Sequence, residues 1–171
     1  AADHGVASRG VSAYPQEVTA QMVLNFLAGG AGINVLARTA QAKVVIVDAG
    51  VKAGLPAHPE LKAGKIAHGT ADITQGPAMS RAQAEQSLDL GARVFEEEYA
   101  RGLDLAAAGE MGIGNTTASS AIVSVFTGAS PEETTGRGTG VPDESLMKKT
   151  SAVREALALN RPNPADALDV L

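Results

Sequence analysis

Two glycine-rich stretches carry residues whose types and spacing suit the holding of an anion. The first is Gly109-Glu110-Met111-Gly112-Ile113-Gly114, which runs straight into Asn115-Thr116-Thr117. Its glycines let the backbone approach a ligand with no Cβ in the way. The amides at the start of the helix that follows can hold a phosphate. Asn115, Thr116 and Thr117 add side-chain donors, and Glu110 sets a carboxylate beside them. No Gly-Lys-Ser/Thr follows, so this is not a Walker loop, and the spacing does not fit the dinucleotide fingerprint. A tight strand-to-helix turn capped by Asn115 explains the same residues equally well.

The second stretch is Thr135-Gly136-Arg137-Gly138-Thr139-Gly140, with Lys148-Lys149 on the helix after it. Gly136, Gly138 and Gly140 allow the amides around Thr139 to curl into an anion-binding nest. Lys149 can then neutralise a phosphate. A flexible surface loop before a solvated lysine pair is the plainer and commoner reading. A third group, Asp3-His4-Gly5, has the types for a metal or acid–base site. The three histidines, His4, His58 and His68, include no pair four apart, so metal binding is not expected and Asp3 is read as an acceptor for backbone amides at a strand-end turn. Tyr14 and Met22 lie near a helix start, where such side chains more often fill a core, and Glu96-Glu97-Glu98 reads as a solvated helix face.

These groups need elements to position them. Pro15–Leu27 has the stripe of an amphipathic helix in Val18, Met22, Val23, Phe26 and Leu27, ended by Gly29-Gly30. A short helix follows with Ile33, Leu36, Ala37 and Ala40 on one face. Lys43–Asp48 holds an unbroken β-branched run, the pattern of a strand buried on both faces of a helix-covered parallel sheet. Open α/β sheets place ligands at such a strand's end, here Asp48-Ala49-Gly50. The chain to Gly76 is loop-rich, with a short strand predicted near Lys65–Ala67. Ser80 and Gln83 have capping-box spacing at the start of a long helix to Arg101, with Ala84, Leu88, Ala92, Phe95 and Tyr99 as its inner stripe. Leu103–Ala108 reads as a second buried strand. A helix follows from Asn115 to Phe126 with Ile122, Val125 and Phe126 inward. Pro131–Gly140 reads as loop and Asp143–Asn160 as the last helix, broken by Arg161-Pro162-Asn163-Pro164. This order is that of an α/β domain.

Bulk composition narrows the classes. The chain has 171 residues, 44% of them apolar, enough for one folded domain and too apolar for disorder. With no cysteine, disulfides and thiolate metal sites are excluded, and a cytoplasmic protein is expected. The formal charge of −5 with no basic cluster argues against nucleic acid as a partner. No unbroken apolar run suggests a membrane span. The chain opens without Met and stops at Asp169-Val170-Leu171, which reads as the start of an apolar segment, so an internal piece of a longer protein is expected.

Five stretches, in order, resemble one family. They are Ala2-Asp3-His4-Gly5-Val6, Gly10-Val11-Ser12-Ala13-Tyr14-Pro15 with Val18-Thr19, Gly76-Pro77-Ala78-Met79-Ser80-Arg81, Gly109 through Thr117, and Asn160-Arg161-Pro162-Asn163-Pro164. Together they look like nicotinate-nucleotide–dimethylbenzimidazole phosphoribosyltransferase, over essentially the whole chain. The resemblance implies a Rossmann-like, mostly parallel sheet flanked by helices, with residues 1–171 forming part of a nucleotide-binding domain. It implies transfer of the phosphoribosyl group of nicotinate mononucleotide to a benzimidazole nitrogen, as a step in building the lower-ligand nucleotide of cobalamin. It also implies a homodimer, with neither metal nor other cofactor.

By the same resemblance, Glu110 and Gly112 lie against the nucleotide, with Asn115 and Thr116 beside them. Gly136, Gly138, Thr139, Gly140 and Lys149 hold its phosphate, and Tyr14 and Met22 line the pocket for the aromatic base. Family members extend further on both sides, with N-terminal helices and a C-terminal portion that carries the glutamate assigned as general base. Glu110 is therefore expected to be a second carboxylate rather than the base, and the isolated piece to be inactive. Two other readings fit the residues: a non-catalytic nucleotide-binding or assembly module, and an enzyme for another azole or a phenolic acceptor.

Overall fold

The computed structural model describes every residue, Ala1–Leu171. After a 3₁₀ turn at Gly5–Arg9 come α1 (Val18–Leu27) and α2 (Gly32–Thr39), then strands β1 (Ile46–Asp48) and β2 (Leu61–Ala63). Helices α3 (Arg81–Tyr99), α4 (Asn115–Thr127), α5 (Pro131–Thr134), α6 (Asp143–Asn160) and α7 (Ala167–Val170) follow. The architecture is a helix-rich α/β one with a small sheet. β1 and β2 run parallel, with Ile46 opposite Leu61 and Asp48 opposite Ala63. A further parallel bridge joins Ala2 to Gly50, which brings the chain start to the end of β1.

The strand expected over Lys43–Asp48 is regular only at its last three residues, because β2 offers backbone partners only from Leu61 onward. The strand expected at Lys65–Ala67 lies instead at Leu61–Ala63, although Ile66 still donates to the Ala49 carbonyl at 2.9 Å. Leu103–Ala108 forms no strand. Nothing pairs with it, and Leu105 is 88% exposed. Its apolar composition suits a buried strand, but a strand needs a ladder and this segment has none.

Local signals place most helices well. Ser80 caps α3 through its side chain, accepting from the Gln83 amide, while the Gln83 side chain accepts from the Ser80 amide at 2.8 Å. Helix α6 spans Asp143–Asn160 as expected, and Arg161 stops it in the left-handed region. The stretch Pro131–Gly140, read as loop, opens with the short α5, which has Pro131 at its start and Glu133 accepting from the Ser130 amide. Val18–Thr39 is apolar enough on average to suggest a membrane span, but the break around Gly29-Gly30 splits it into helices of 10 and 8 residues. Each is well short of the ~20 residues a bilayer crossing needs.

Which faces are covered differs from the expectation. In α2 the buried residues are Asn34 and Ala37, while Ile33, Val35 and Leu36 are exposed. Asn34 is inside because it knots the α1–α2 turn, accepting from Ala31 and donating to the Phe26 carbonyl at 3.1 Å. In α3 the buried residues are Ala84 and Leu90, and Leu88, Phe95 and Tyr99 face outward, with the two rings stacked at 6.1 Å. In α4 the buried positions are polar, Thr117, Ser120 and Ser124, while Phe126 is exposed.

Two small cores hold these pieces. Val23, Ile46 and Val51 join α1 to β1, with Phe26, Leu27 and Leu61 packed around them. Val6, Val11 and Ala152 join the 3₁₀ turn to α6. α6 lies along α4, burying Lys149, Ala152, Val153 and Ala156, one helical stripe with a lysine at its head.

Candidate functional site

The two glycine-rich stretches meet at Lys149. Its side chain is almost wholly enclosed, with the residue 2% exposed. The ammonium donates to Thr116 Oγ1 at 2.7 Å and to the Gly136 carbonyl at 2.9 Å. Thr116 belongs to the first turn of α4, and Gly136 to the loop after α5, so one lysine ties both stretches together. Burial holds its pKa below the ordinary lysine value, and no carboxylate offsets that. A buried ammonium without a counter-ion is costly, and an anion hydrogen-bonded to it offsets that cost. Gly138 sits over this contact in the left-handed region. A Cβ there would stand 3.1 Å from Thr116 Oγ1 and 3.4 Å from Lys149 Nζ.

A recess of about 260 Å³ opens beside the lysine. Thr116, Ser119, Ser120, Thr134, Gly136 and Gly138 line it with Lys149. Its wall is fixed by hydroxyls: Ser120 donates to the Thr134 carbonyl at 3.0 Å, and Ser124 and Thr134 share a 2.6 Å hydrogen bond. Thr116, read from the sequence as a donor, recurs with Ser120 and Ser124 four apart, and this polar stripe is legible in the sequence although the apolar residues of α4 alone suggest a different inward face. Thr139 and Gly140 are exposed on the outer part of the loop. Asn115 does not cap α4. Gly114, in the left-handed region, precedes the helix, and Asn115 is its first residue.

Glu110 and Gly112 form a second corner at the other end of the Gly112–Thr116 turn. Glu110 accepts from His4 Nε2 at 2.8 Å, and its carboxylate is not among the residues lining the lysine's recess. Gly112 is required by its surroundings. A Cβ there would run into the Ala2 carbonyl oxygen and stand 2.8 Å from both Glu110 Oε1 and His4 Cδ2. The close approach at this glycine is to the chain's own first residues. Thr19 on α1 accepts from the Ile113 amide at 3.1 Å, and Gln16 donates to the His4 carbonyl at 3.3 Å. Asp3 accepts from the Lys52 amide at 2.7 Å, the strand-end role read for it in the sequence. Thr19, Gln16 and His4 as holders of the glycine turn were missed, since they lie more than 90 residues from it.

Of the base-pocket candidates, Tyr14 is half exposed and Met22 half-buried on α1, and neither lines the lysine's recess. The acidic run is not simply solvated. Glu98 is largely enclosed and is paired with Lys43 at 2.6 Å, Lys62 at 3.1 Å and Arg101 at 2.9 Å. With Arg38 it borders a second recess of about 440 Å³ beneath α2 and β1. Lys148, next to the buried lysine, pairs outward with Glu144, so the two neighbours in sequence differ entirely in setting.

Comparison with known proteins adds to this geometry. A phosphoribosyltransferase family model matches residues 1–171. Curated relatives from Roseiflexus castenholzii and Chloroflexus aggregans, both named nicotinate-nucleotide–dimethylbenzimidazole phosphoribosyltransferase, are 59% and 58% identical over all 171 residues. The match covers 48% of each, so the chain spans about half the length of these relatives. The crystal structure of CobT from Thermus thermophilus superposes with a TM-score of 0.94 at 51% identity, covering 99% of this chain and 50% of that one.

Proposed function

Because the chain belongs to the phosphoribosyltransferase family, we propose that the protein containing it transfers the phosphoribosyl group of nicotinate mononucleotide to 5,6-dimethylbenzimidazole. The bond from ribose C1 to the nicotinate nitrogen breaks, and its electron pair leaves with nicotinate. The bare benzimidazole nitrogen forms the new bond to C1 from the opposite face, and the acceptor's N–H proton is lost to a base. The products are α-ribazole 5′-phosphate and nicotinate.

The observation that carries this reading is Lys149, a buried ammonium with only neutral acceptors at the edge of an open recess. The ribose phosphate sits there, against Thr116, Gly136 and Gly138, with Thr139 and Gly140 closing from the loop. Asn115 and Gly112 border the sugar. Glu110, at the far end of the turn, faces the positive charge that develops at C1. It is a second carboxylate, and the proton acceptor comes from the half of the relatives that this chain does not match. Tyr14 and Met22, close to the Thr19 and Gln16 supports, serve the aromatic acceptor.

Residues 1–171 act as part of a nucleotide-binding domain, and the two-stranded sheet belongs to a larger Rossmann-like one. The exposed apolar residues of α2, α3 and Leu103–Ala108 offer surface to the remainder of a cytoplasmic homodimer. The test is to incubate the full-length protein with nicotinate mononucleotide and 5,6-dimethylbenzimidazole and follow nicotinate and α-ribazole phosphate chromatographically. Both are expected to accumulate in equal amounts. Nucleotide binding without product from any azole or phenolic acceptor would replace this reading with a non-catalytic one.

A further inference from the structure

We propose that His4 is a positioning residue for Glu110, holding one carboxylate oxygen so that the other meets the ribose; this rests on the transfer reading above. An ionised carboxylate only accepts hydrogen bonds, so the 2.8 Å contact requires the proton on His4 Nε2. Glu110 makes this one side-chain bond and leaves Oε2 without a protein donor. The two partners differ in setting: the imidazole is 16% exposed and the carboxylate 46%. The histidine is therefore the anchored member and the glutamate the one presented outward.

The anchoring continues in the backbone on both sides of the pair. The His4 carbonyl accepts from Ala7 at 3.0 Å and from Gln16 Nε2 at 3.3 Å. Before it, the Asp3 amide donates to Gly50 at 2.9 Å and the Asp3 carboxylate accepts from Lys52. The Ala2 amide donates to the Met111 carbonyl at 3.1 Å, so His4 and Glu110 ride on segments that are themselves hydrogen-bonded. Gly112 forms the floor beneath them, where a Cβ would touch both side chains. An exposed pair of this kind adds little to stability. What it provides is orientation, since a carboxylate on three free torsions otherwise samples many directions.

The test measures kcat and KM for both substrates in the full-length protein. His4→Ala is expected to lower kcat roughly tenfold to a hundredfold, the scale of a misplaced group. Both KM values should stay within about twofold, as for an interaction made in the transition state. His4→Gln puts an amide nitrogen close to where Nε2 sits and should recover most of the rate. Placed on Glu110→Gln, His4→Ala should cost nothing further, because the residue it positions is already altered. An unchanged kcat, a glutamine variant as slow as the alanine one, or additive losses would each overturn the role.

Nitrogen NMR gives an answer independent of turnover and of whether the alanine variant folds. The His4 ring should be protonated at Nε2, and its signal should move in Glu110→Gln. A static signal refutes the pairing. A wild-type protein without transferase activity refutes the transfer reading instead, while the NMR still decides on the pair.

Discussion

Lys149 is the residue on which the functional reading turns, and its surroundings make two behaviours calculable. Its ammonium is enclosed and bonded only to the Thr116 hydroxyl and the Gly136 carbonyl. On the proposed placement of the phosphate, replacing it by alanine in the full-length protein removes a charged hydrogen bond to that group, about 1.5–3 kcal/mol. Nicotinate mononucleotide affinity should fall roughly tenfold to a hundredfold by calorimetry. Unchanged affinity would mean that the phosphate sits elsewhere. Desolvation lowers the folded pKa of Lys149 below its usual 10.5. The penalty for burying the charged form therefore disappears as pH rises through that lowered value, so the free protein gains stability between there and 10.5. Nucleotide affinity should decline over the same alkaline range, and Lys149→Met should abolish both trends. Neither the burial nor the missing counter-ion could be read from Lys148-Lys149, because both depend on Thr116, 33 positions away.

At the scale of elements, the turn into α4 is held by contacts that leave no room for variation. A Cβ on Gly112 strikes the Ala2 backbone, which is itself fixed by its bond to Met111. Gly112→Ala should cost about 1–3 kcal/mol, the range for overpacking a tight site. It should lower the melting temperature and the nucleotide affinity together, checked by calorimetry on both. Elements whose signals are local were legible. The Ser80/Gln83 cap begins α3 where expected, and α6 ends at Asn160 before Arg161-Pro162. Faces and pairing were less so. The stripe Ala84, Leu88, Phe95 and Tyr99 shows which side of α3 is apolar but not what covers it, and here only Ala84 of that stripe is buried, together with Leu90 from outside it. Leu103–Ala108 is largely apolar but holds no β-branched residue and has no ladder partner, and polar Ser120 and Ser124 face inward because Thr134 of α5 gives each a hydrogen-bond partner.

Across the whole molecule, apolar cores are small, with 27 of 171 residues buried, and backbone hydrogen bonds and a few ion pairs add connections between distant segments. Glu98 is the clearest hub. It joins α3 to the segment before β1 through Lys43, to β2 through Lys62, and to the chain after the helix through Arg101. Hydrogen bonds from Lys43 first and Lys62 second pull its carboxyl from 4.5 down to about 2. A carboxyl with a depressed folded pKa contributes stability that is complete above the unfolded value and lost as pH falls through the folded one. Glu98→Gln should therefore melt earlier than wild type at neutral pH. The gap should close as pH drops from 4.5 toward about 2, and a constant gap across a melting series in that range would exclude the hub role.

The neutral acceptors on Lys149 have a consequence for selectivity. An ammonium has three protons to give, and two already have oxygen partners inside the protein. A dephosphorylated nucleoside reaching the recess offers only more of the dipoles the lysine already enjoys. A phosphate ester brings the one thing missing, a full opposite charge. With the phosphate placed as proposed, charge alone separates the two, before any contact with sugar or base is made.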